Sequence, residues 1–267
     1  MSDEKIGVVV TGAAGRMGRE VVKAVLREED LCLVGAVDLR ELGVDAGDLV
    51  GFPPTGVTIC SDLQQVITEN KADVLVDFTN PEAVLRNARI ALNHGVSLVI
   101  GTTGLDDVDI EELRRLSEKA GTGVLIAPNF ALGAVLMMSF ARQAARYFKH
   151  VEIIEMHHDQ KIDAPSGTAI RTARMIAEER GAFRQGHPQE YEKIEGVRGG
   201  DWEGIKIHSV RLPGLVAHQE VVFGGLGQVL TIRHDSINRE SFMPGVILAI
   251  RKVRELKGVV VGLENVL

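Results

Sequence analysis

The stretch Ile6-Gly7-Val8-Val9-Val10-Thr11-Gly12-Ala13-Ala14-Gly15-Arg16-Met17-Gly18 decides the fold class of this chain. Its first half is a short apolar run, which is typical of a strand buried in a parallel sheet. Its second half is a glycine-rich turn that opens a segment with helical spacing of apolar residues. This order predicts a site for a dinucleotide pyrophosphate, because glycines permit close backbone approach and the first helical turn has free N–H groups. The spacing is G-x-x-G-x-x-G rather than G-x-G-x-x-G, so the setting carries the prediction.

Strand and helix patterns alternate through the first half of the chain. Further strands are predicted at residues 31–37, 72–78, 96–100 and 124–127, and helices at residues 62–70, 81–93 and 110–120. Such alternation predicts parallel strands joined by crossover helices, and right-handed crossovers favour a doubly wound, Rossmann-like α/β sheet.

The pattern changes after Pro128-Asn129. Helices are predicted at residues 132–148, 169–180 and 242–257, and strands at residues 151–157, 205–212, 215–223 and 228–234, while residues 181–204 show no clear element. We expect a smaller α+β domain with a mixed or antiparallel sheet. The predicted domains are residues 1–130 and 131–239, and the helix within residues 240–267 is expected to return to the first domain.

Composition narrows the class of protein. The 267 residues carry a formal charge of −7, which does not favour nucleic acid or an anionic membrane as a partner. Neither a signal-peptide pattern in Met1-Ser2-Asp3-Glu4-Lys5 nor an apolar run of about 18 residues is found, so we expect a cytoplasmic protein. Two cysteines are too few for a disulfide framework, and Cys32, in an apolar run, is predicted to be buried.

Three further segments end predicted strands of the first domain. Asp38 ends the second strand, where an acidic side chain can accept both hydroxyls of an adenosine ribose. Gly101-Thr102-Thr103-Gly104 and Ala127-Pro128-Asn129-Phe130 follow later strands. Ligands bind at these strand ends in open α/β sheets, although the same residue types are ordinary in turns.

The densest chemistry lies in the segment EMHHDQKIDAPSGTA, which spans residues 155–169. His157 and His158 can exchange protons near neutral pH, and Lys161 can donate one. The turn Ser166-Gly167-Thr168 predicts a capped helix start whose N–H groups suit a carboxylate. If the strand continues through both histidines, they point to opposite faces. A metal site is not predicted, because no third ligand accompanies the pair; an exposed loop before a capped helix remains an alternative.

The motifs GAAGRMG, GTTG and APNF, and above all EMHHDQKIDAPSGTA, resemble the 4-hydroxy-tetrahydrodipicolinate (dihydrodipicolinate) reductase family over essentially the whole chain. The resemblance implies reduction of 4-hydroxy-tetrahydrodipicolinate to tetrahydrodipicolinate by NADH or NADPH, in the diaminopimelate route to lysine. It also implies a homotetramer that associates through the sheets of the second domain, which would bind substrate.

The resemblance also implies residue roles. The pyrophosphate would be held by Gly12, Ala13, Ala14, Gly15, Arg16 and Met17, and the adenosine ribose by Asp38. The nicotinamide side would be lined by Gly101, Thr102, Thr103, Ala127, Pro128, Asn129 and Phe130. His157 would be the proton donor or acceptor and Lys161 the proton donor, while His158, Ser166, Gly167 and Thr168 would bind substrate.

One position departs from the family. Many members carry a basic residue directly after the ribose-binding acid, whereas here Leu39 follows Asp38 and Arg40 comes one residue later. The choice between NADH and NADPH is therefore open. Two other functions also stay open: a related two-domain dehydrogenase for another amino-acid precursor, and a nucleotide-sensing module on the same fold. The HHxxKxDAPSGT segment argues against the first, and the presence of both His157 and Lys161 against the second.

Overall fold

The computed structural model describes residues 5–267, so most of the N-terminal segment in which no signal peptide is predicted lies outside the described residues. The chain divides into two compact units. The first comprises the chain up to Phe130 together with Phe242–Leu267, and the second comprises Ala131–Ser241.

The first unit is built on a parallel sheet. Its strands are β1 (Ile6–Thr11), β2 (Leu31–Val37), β3 (Ile59–Cys60), β4 (Val74–Asp77), β5 (Ser97–Ile100), β6 (Gly123–Ile126) and β12 (Gly258–Val261). They form a seven-stranded sheet in the order β12-β6-β5-β4-β1-β2-β3, and every neighbouring pair is parallel. Its apolar strands are almost fully buried, as expected of a sheet covered on both faces.

Helices cover this sheet on both sides. They are α1 (Arg16–Arg27), α2 (Ala46–Val50), α3 (Leu63–Glu69), α4 (Pro81–Asn93), α5 (Asp107–Ala120) and α8 (Met243–Val253). Helix α1 packs against α8, whereas α4 packs against α3 and α5. Strand order reverses between β1 and β4, next to the glycine turn, so the predicted doubly wound fold is confirmed.

The second unit has a mixed five-stranded sheet. Its strands are β7 (His150–His157), β8 (Gly200–Trp202), β9 (Ile205–Arg211), β10 (Ala217–Gly225) and β11 (Gln228–Ser236), and its helices are α6 (Leu132–Ala144) and α7 (Gly167–Arg180). The order is β11-β10-β7-β9-β8, with β7 and β9 parallel and the other pairs antiparallel. The predicted mixed sheet is confirmed, and β7 lies at its centre between β9 and β10.

Several expectations from the sequence are wrong. The helix predicted over residues 242–257 ends at Val253, and the chain then adds strand β12 to the edge of the parallel sheet. Gly258, the first residue of β12, has φ 82°, a left-handed conformation that favours glycine and that the periodicity of the following valines does not reveal. Cys32 is exposed rather than buried, because Leu31 and Leu33 face the core and the intervening side chain faces solvent. Residues 181–204 include strand β8.

The turn between β1 and α1 is closed by backbone packing. Gly12 has φ 75°, a left-handed conformation that favours glycine. A Cβ atom on Gly18 would overlap the carbonyl oxygen of Gly12, and a Cβ atom on Gly12 would overlap the carbonyl oxygen of Phe78. The glycines at both ends of the turn are therefore required for the chain to fold back against β4.

Asp77 joins the carboxyl ends of three neighbouring strands. Its fully buried carboxylate accepts hydrogen bonds from the hydroxyl of Thr11 at 2.7 Å, of Thr102 at 2.8 Å and of Thr79 at 2.7 Å. The side-chain amide of Asn87, on α4, donates at 2.8 Å. One carboxylate thus connects the ends of β1, β4 and β5 to a helix on the sheet face.

We expect Gly18→Ala to lower the free energy of unfolding by about 1–3 kcal/mol, because the new methyl group must displace the backbone of Gly12. Chemical denaturation measures this change. Gly200→Ala is the control, since its Cβ would meet no atom closer than 3.9 Å, and we expect a change within about 0.5 kcal/mol. Equal stability of the two variants would contradict this account of the turn.

Asp77→Ala is expected to lower the free energy of unfolding by about 2–4 kcal/mol, because each orphaned buried donor costs about 1–3 kcal/mol and water replaces the carboxylate in part. The comparison is Asp73→Ala, at the other end of β4, whose carboxylate accepts one bond from the Gly7 N–H at 2.7 Å. That variant should lose about 1 kcal/mol. A loss at Asp77 no larger than at Asp73 would show that the connected strand ends do not depend on this carboxylate.

Candidate functional site

The predicted pyrophosphate turn lies between β1 and α1 in the first unit. The N–H groups of Gly12 and Ala13 donate to the carbonyl oxygen of Val37 at 2.8 and 3.2 Å, which fixes the start of the turn. Helix α1 begins at Arg16 after Gly15, and no side chain caps it. The first-turn N–H groups of an uncapped helix are available to an anionic ligand. The residues from Gly12 to Met17 are thus placed as a phosphate-binding turn requires.

Asp38 lies beside this turn and is already bound to the protein. Its carboxylate accepts the N–H of Ala14 at 3.0 Å, the N–H of Arg40 at 3.0 Å and the Arg40 Nε at 3.3 Å. Its side chain is 8% exposed, whereas Leu39 is 78% exposed. The Arg40 Nη2 lies 3.7 Å from the position of a Cβ atom on Gly15. The structure therefore brings Arg40 to the glycine turn, which spacing along the sequence does not establish.

A cavity of about 810 Å³ adjoins the turn and Asp38 within the first unit. Its wall includes residues that the sequence analysis did not single out, on α3, α4 and the loop before α3: Asp62, Gln64, Arg86 and Ile90. Their contribution depends on the packing of α3 against α4, and no local motif marks them. The cavity is large enough for a nucleotide-sized ligand, since small-molecule pockets span about 300–1,000 Å³.

The two strand-end segments of the predicted nicotinamide side have different environments. The Thr102 hydroxyl is buried, donates to Asp77 at 2.8 Å and accepts the N–H of Thr79 at 2.9 Å, so its visible role is to hold the loop. Thr103 is exposed. A Cβ atom on Gly101 would overlap the ring of Phe78, which makes this glycine a packing requirement.

The second of these segments follows β6. Phe130 is buried, and its ring centroid lies 5.7 Å from that of Phe78. Ala127 is buried and donates its N–H to the carbonyl oxygen of Ile100 at 3.0 Å, whereas Pro128 is exposed and Asn129 half-buried. The loops after β5 and β6 are therefore positioned by aromatic packing around Phe78 and by Asp77, and neither residue was predicted from the sequence.

In the second unit, β7 ends at His157, so His158 lies beyond the strand and the predicted placement on opposite strand faces does not apply. The His157 Nδ1 lies 2.5 Å from Oε2 of Glu155, which is fully buried. Arg211, at the end of β9, donates to both oxygens of Glu155 at 2.7 and 2.9 Å. Burial raises the pKa of Glu155, but hydrogen bonds from His157, Arg211 and Ser209 outweigh it and lower the pKa to about 2.

Sequence reasoning missed Glu155 and Arg211. A signal for Glu155 was present, because a carboxylate two residues before His157 shares its strand face among the apolar residues Val151 and Ile153. Arg211 carried no such signal, since its proximity requires the parallel pairing of β9 with β7.

The helix start after this strand has the predicted cap. The Ser166 Oγ accepts the N–H of Ala169 at 3.2 Å, and the Ser166 N–H donates to Glu155 Oε1 at 3.3 Å. A Cβ atom on Gly167 would meet no atom within 4 Å, so the backbone there borders open space. Thr168, in the first turn of α7, accepts a hydrogen bond from the Thr172 hydroxyl at its carbonyl oxygen. Glu155 thus links the end of β7 to the start of α7.

Lys161 lies in the loop between β7 and α7. Its Nζ is 2.7 Å from Oδ1 of Asp163, an ion pair that lowers the pKa of Asp163. The lysine side chain is 21% exposed. The cation is therefore held near the helix start by a neighbouring carboxylate, a partner that the sequence analysis did not assign.

Within residues 5–267, no helix is long and apolar enough to span a membrane. In the same range, no group of three His, Cys, Asp or Glu side chains is arranged to hold a metal ion.

Comparison with known proteins gives matches to both halves of the chain. Residues 6–130 match the family model described as dihydrodipicolinate reductase, N-terminus, and residues 133–267 match that described as dihydrodipicolinate reductase, C-terminus. The 4-hydroxy-tetrahydrodipicolinate reductase of Desulfitobacterium hafniense (strain DSM 10664 / DCB-2) is 59% identical over 265 residues, covering 99% of each chain. That of Moorella thermoacetica is 59% identical over 262 residues, covering 98% of each.

A solved structure agrees with these relatives. The dipicolinate-bound dihydrodipicolinate reductase from Paenisporosarcina sp. TG-14 is 50% identical, with a TM-score of 0.90, and the match covers 98% of this chain and 100% of that one. Motifs, fold and matched length agree across both units, which confirms the resemblance: the chain belongs to the dihydrodipicolinate reductase family.

Proposed function

We propose that this protein reduces 4-hydroxy-tetrahydrodipicolinate to tetrahydrodipicolinate in lysine and diaminopimelate biosynthesis. The observation that carries the proposal is 59% identity to reductases with this activity in their names, over 99% of the chain. The overall change consumes NAD(P)H and a proton and yields tetrahydrodipicolinate, NAD(P)⁺ and water. When bound, the nicotinamide nucleotide supplies the hydride.

The first unit fits such a nucleotide. The uncapped start of α1 offers N–H donors to a pyrophosphate, and a side chain on Gly12 or Gly18 would close the turn. Asp38 adjoins both the turn and the 810 Å³ cavity, and its carboxylate oxygens have lone pairs left for ribose hydroxyls. We assign the residues from Gly12 to Met17 to the pyrophosphate and Asp38 to the ribose.

The second unit supplies groups for substrate and proton. His157 is assigned as the proton donor, because its Nδ1 is held by Glu155 while the ring is 15% exposed. Lys161 is assigned as a second proton donor, and the turn Ser166-Gly167-Thr168, with His158, as the site of a substrate carboxylate. The open space at Gly167 supports this assignment.

The sheet of the second unit supports the proposed homotetramer. Helices α6 and α7 pack against this sheet, and one of its faces carries the fully buried Ile153, Val221 and Phe223. The other face carries half-buried Ile154 and Val222 and exposed Val229. A second copy would cover these apolar side chains by self-complementary contact.

A biosynthetic enzyme that draws on a diffusible nucleotide pool is expected in the cytoplasm.

His157→Ala and Lys161→Ala should each lower kcat by about 10²–10⁴-fold, the usual contribution of a positioned acid or base. The Kd for NADH should stay unchanged, because both residues lie in the second unit and the nucleotide turn lies in the first. Steady-state turnover and NADH titration measure the two effects. His187→Ala and Lys193→Ala, in an exposed loop of the second unit, are the matched controls. Near-normal turnover in both site variants would remove these residues from the mechanism.

We expect both nucleotides to be used, with NADH at least as good as NADPH. The 2′-phosphate of NADPH would lie near the Asp38 carboxylate, a repulsion of about 1 kcal/mol or more, which Arg40 offsets from its position at the glycine turn. Arg40→Ala should therefore lower kcat/KM for NADPH about tenfold more than for NADH, since one charge-assisted hydrogen bond contributes about 1.5–3 kcal/mol. Asp38→Ala should weaken NADH more.

The measurement is kcat/KM with each nucleotide in the wild type and both variants. Leu42→Ala serves as the control, because this side chain is 55% exposed, carries no charge and does not line the cavity. A wild-type preference of about tenfold or more for NADPH would show that repulsion at Asp38 has been overridden.

A further inference from the structure

We propose that Glu155 and Arg211 are positioning residues that hold the imidazole of His157 with Nε2 as the only nitrogen able to exchange a proton with substrate. The inference rests on the proposed function, in which His157 is a proton donor. It assigns a catalytic purpose to two buried charges that do not themselves meet the substrate.

Glu155 is positioned by strand β7 and by the start of α7. It lies on β7 two residues before His157, so both side chains project from the same strand face. The carboxylate is fully buried, and its Oε2 lies 2.5 Å from Nδ1 of His157. Ser166 donates its N–H to the other oxygen at 3.3 Å. Because both a strand and a helix start hold this carboxylate in place, it can fix the orientation of the His157 ring.

The charge on Glu155 decides which nitrogen of the His157 ring carries the proton. With a pKa of about 2, Glu155 is ionised at neutral pH and can only accept hydrogen bonds. Nδ1 must therefore be the donor of the short contact, in both the neutral and the protonated ring. The proton that leaves or returns is then the one on Nε2, and this nitrogen has no hydrogen-bond partner among residues 5–267.

Arg211 balances the negative charge of Glu155. Arg211 pairs with His157 in the register between β9 and β7, and its guanidinium donates to both oxygens of Glu155 at 2.7 and 2.9 Å. A buried carboxylate without a cation would hold the imidazolium so strongly that the proton would be hard to release. The bidentate arginine cancels most of that charge while leaving the acceptor in place. Glu155 thus orients the ring, and Arg211 keeps its proton transferable.

The other groups near His157 do not supply this balance. The neighbouring position on β10 is Ala217, which is neutral. In the loop before α7, Lys161 and Asp163 pair with each other at 2.7 Å, and the Asp163 carbonyl oxygen accepts a further bond from Arg211 at 2.8 Å. His158, next along the chain, lies beyond the end of β7.

Two substitutions with opposite charge effects test the proposal. In the direction of reduction His157 must be protonated, so kcat falls on the alkaline side of the pH profile. Glu155→Gln removes the anion beside the ring, and the alkaline limb should move to lower pH, with a fall in kcat of about 10²-fold because the ring loses its orienting acceptor. Arg211→Met leaves the carboxylate uncompensated, and the limb should move to higher pH. A general loss of packing would not move the two limbs in opposite directions.

Two further measurements keep the test decisive if either variant folds poorly. Arg211→Lys keeps the charge without the bidentate geometry, and it should return the alkaline limb toward that of the wild type. Nitrogen NMR of the His157 ring in the wild type should show the proton on Nδ1 in the neutral form. A neutral ring protonated on Nε2 would overturn the proposal whatever the activity.

The control is a second glutamate of β7 that also pairs with an arginine and a histidine but lies on the opposite face of the strand. Glu152 accepts from Arg198 at 2.5 Å and from His208 at 2.8 Å, yet it faces away from His157. Glu152→Gln should leave kcat and the pH profile unchanged. If the wild type does not reduce 4-hydroxy-tetrahydrodipicolinate, the proposed function fails, and if His157→Ala keeps turnover, the proton-donor assignment fails. If His157→Ala loses turnover while Glu155→Gln and Arg211→Met leave the alkaline limb unshifted, the positioning role alone fails.

Discussion

The carboxylate of Asp77 is the constraint on which the first unit of this protein depends. It is fully buried, and the part of the chain that the structure describes pairs it with no cation. Burying such a charge is costly, and here the cost is offset by donors that converge from separate elements. Two of those donors, Thr11 and Thr102, lie next to the glycine turn and in the loop after β5, which would hold the nucleotide. The interaction that stabilises the charge also fixes the distance between the glycine turn and the loop after β5.

Glu155 solves the same problem in the second unit by different means. Besides the Ser209 side chain and the Ser166 N–H, its partners include a guanidinium and an imidazole, whereas the donors described around Asp77 are hydroxyls and an amide. Neutral donors around Asp77 give a rigid junction in which no proton needs to move. A cation and a titratable ring around Glu155 give a junction in which one proton can leave while the carboxylate stays ionised. The two buried carboxylates thus suit the different tasks proposed for the two units, which are to hold a nucleotide and to deliver a proton.

Local patterns predicted most of the elements and the main motifs. The apolar run before Gly12 is buried as expected, and the cap at Ser166 forms as its residue types indicate. Patterns failed where the environment, not the residue type, decides the outcome. Cys32 belongs to an apolar run but faces solvent. Strand β12 was not predicted from its few valines, because its partner strand lies more than a hundred positions earlier in the chain.

The sequence by itself determined the doubly wound first half, the glycine turn between β1 and α1 and the histidine-lysine segment, because each of these depends on neighbours within one or two elements. Only the tertiary structure decided which charges meet. Parallel strand pairing brings Arg211 to Glu155. Asp77 accepts hydrogen bonds from donors at three strand ends and on a helix, and the Arg40 side chain lies close to Gly15. Contacts of this kind join residues far apart in the chain, and their geometry follows from strand order and register, which periodicity along the sequence does not encode.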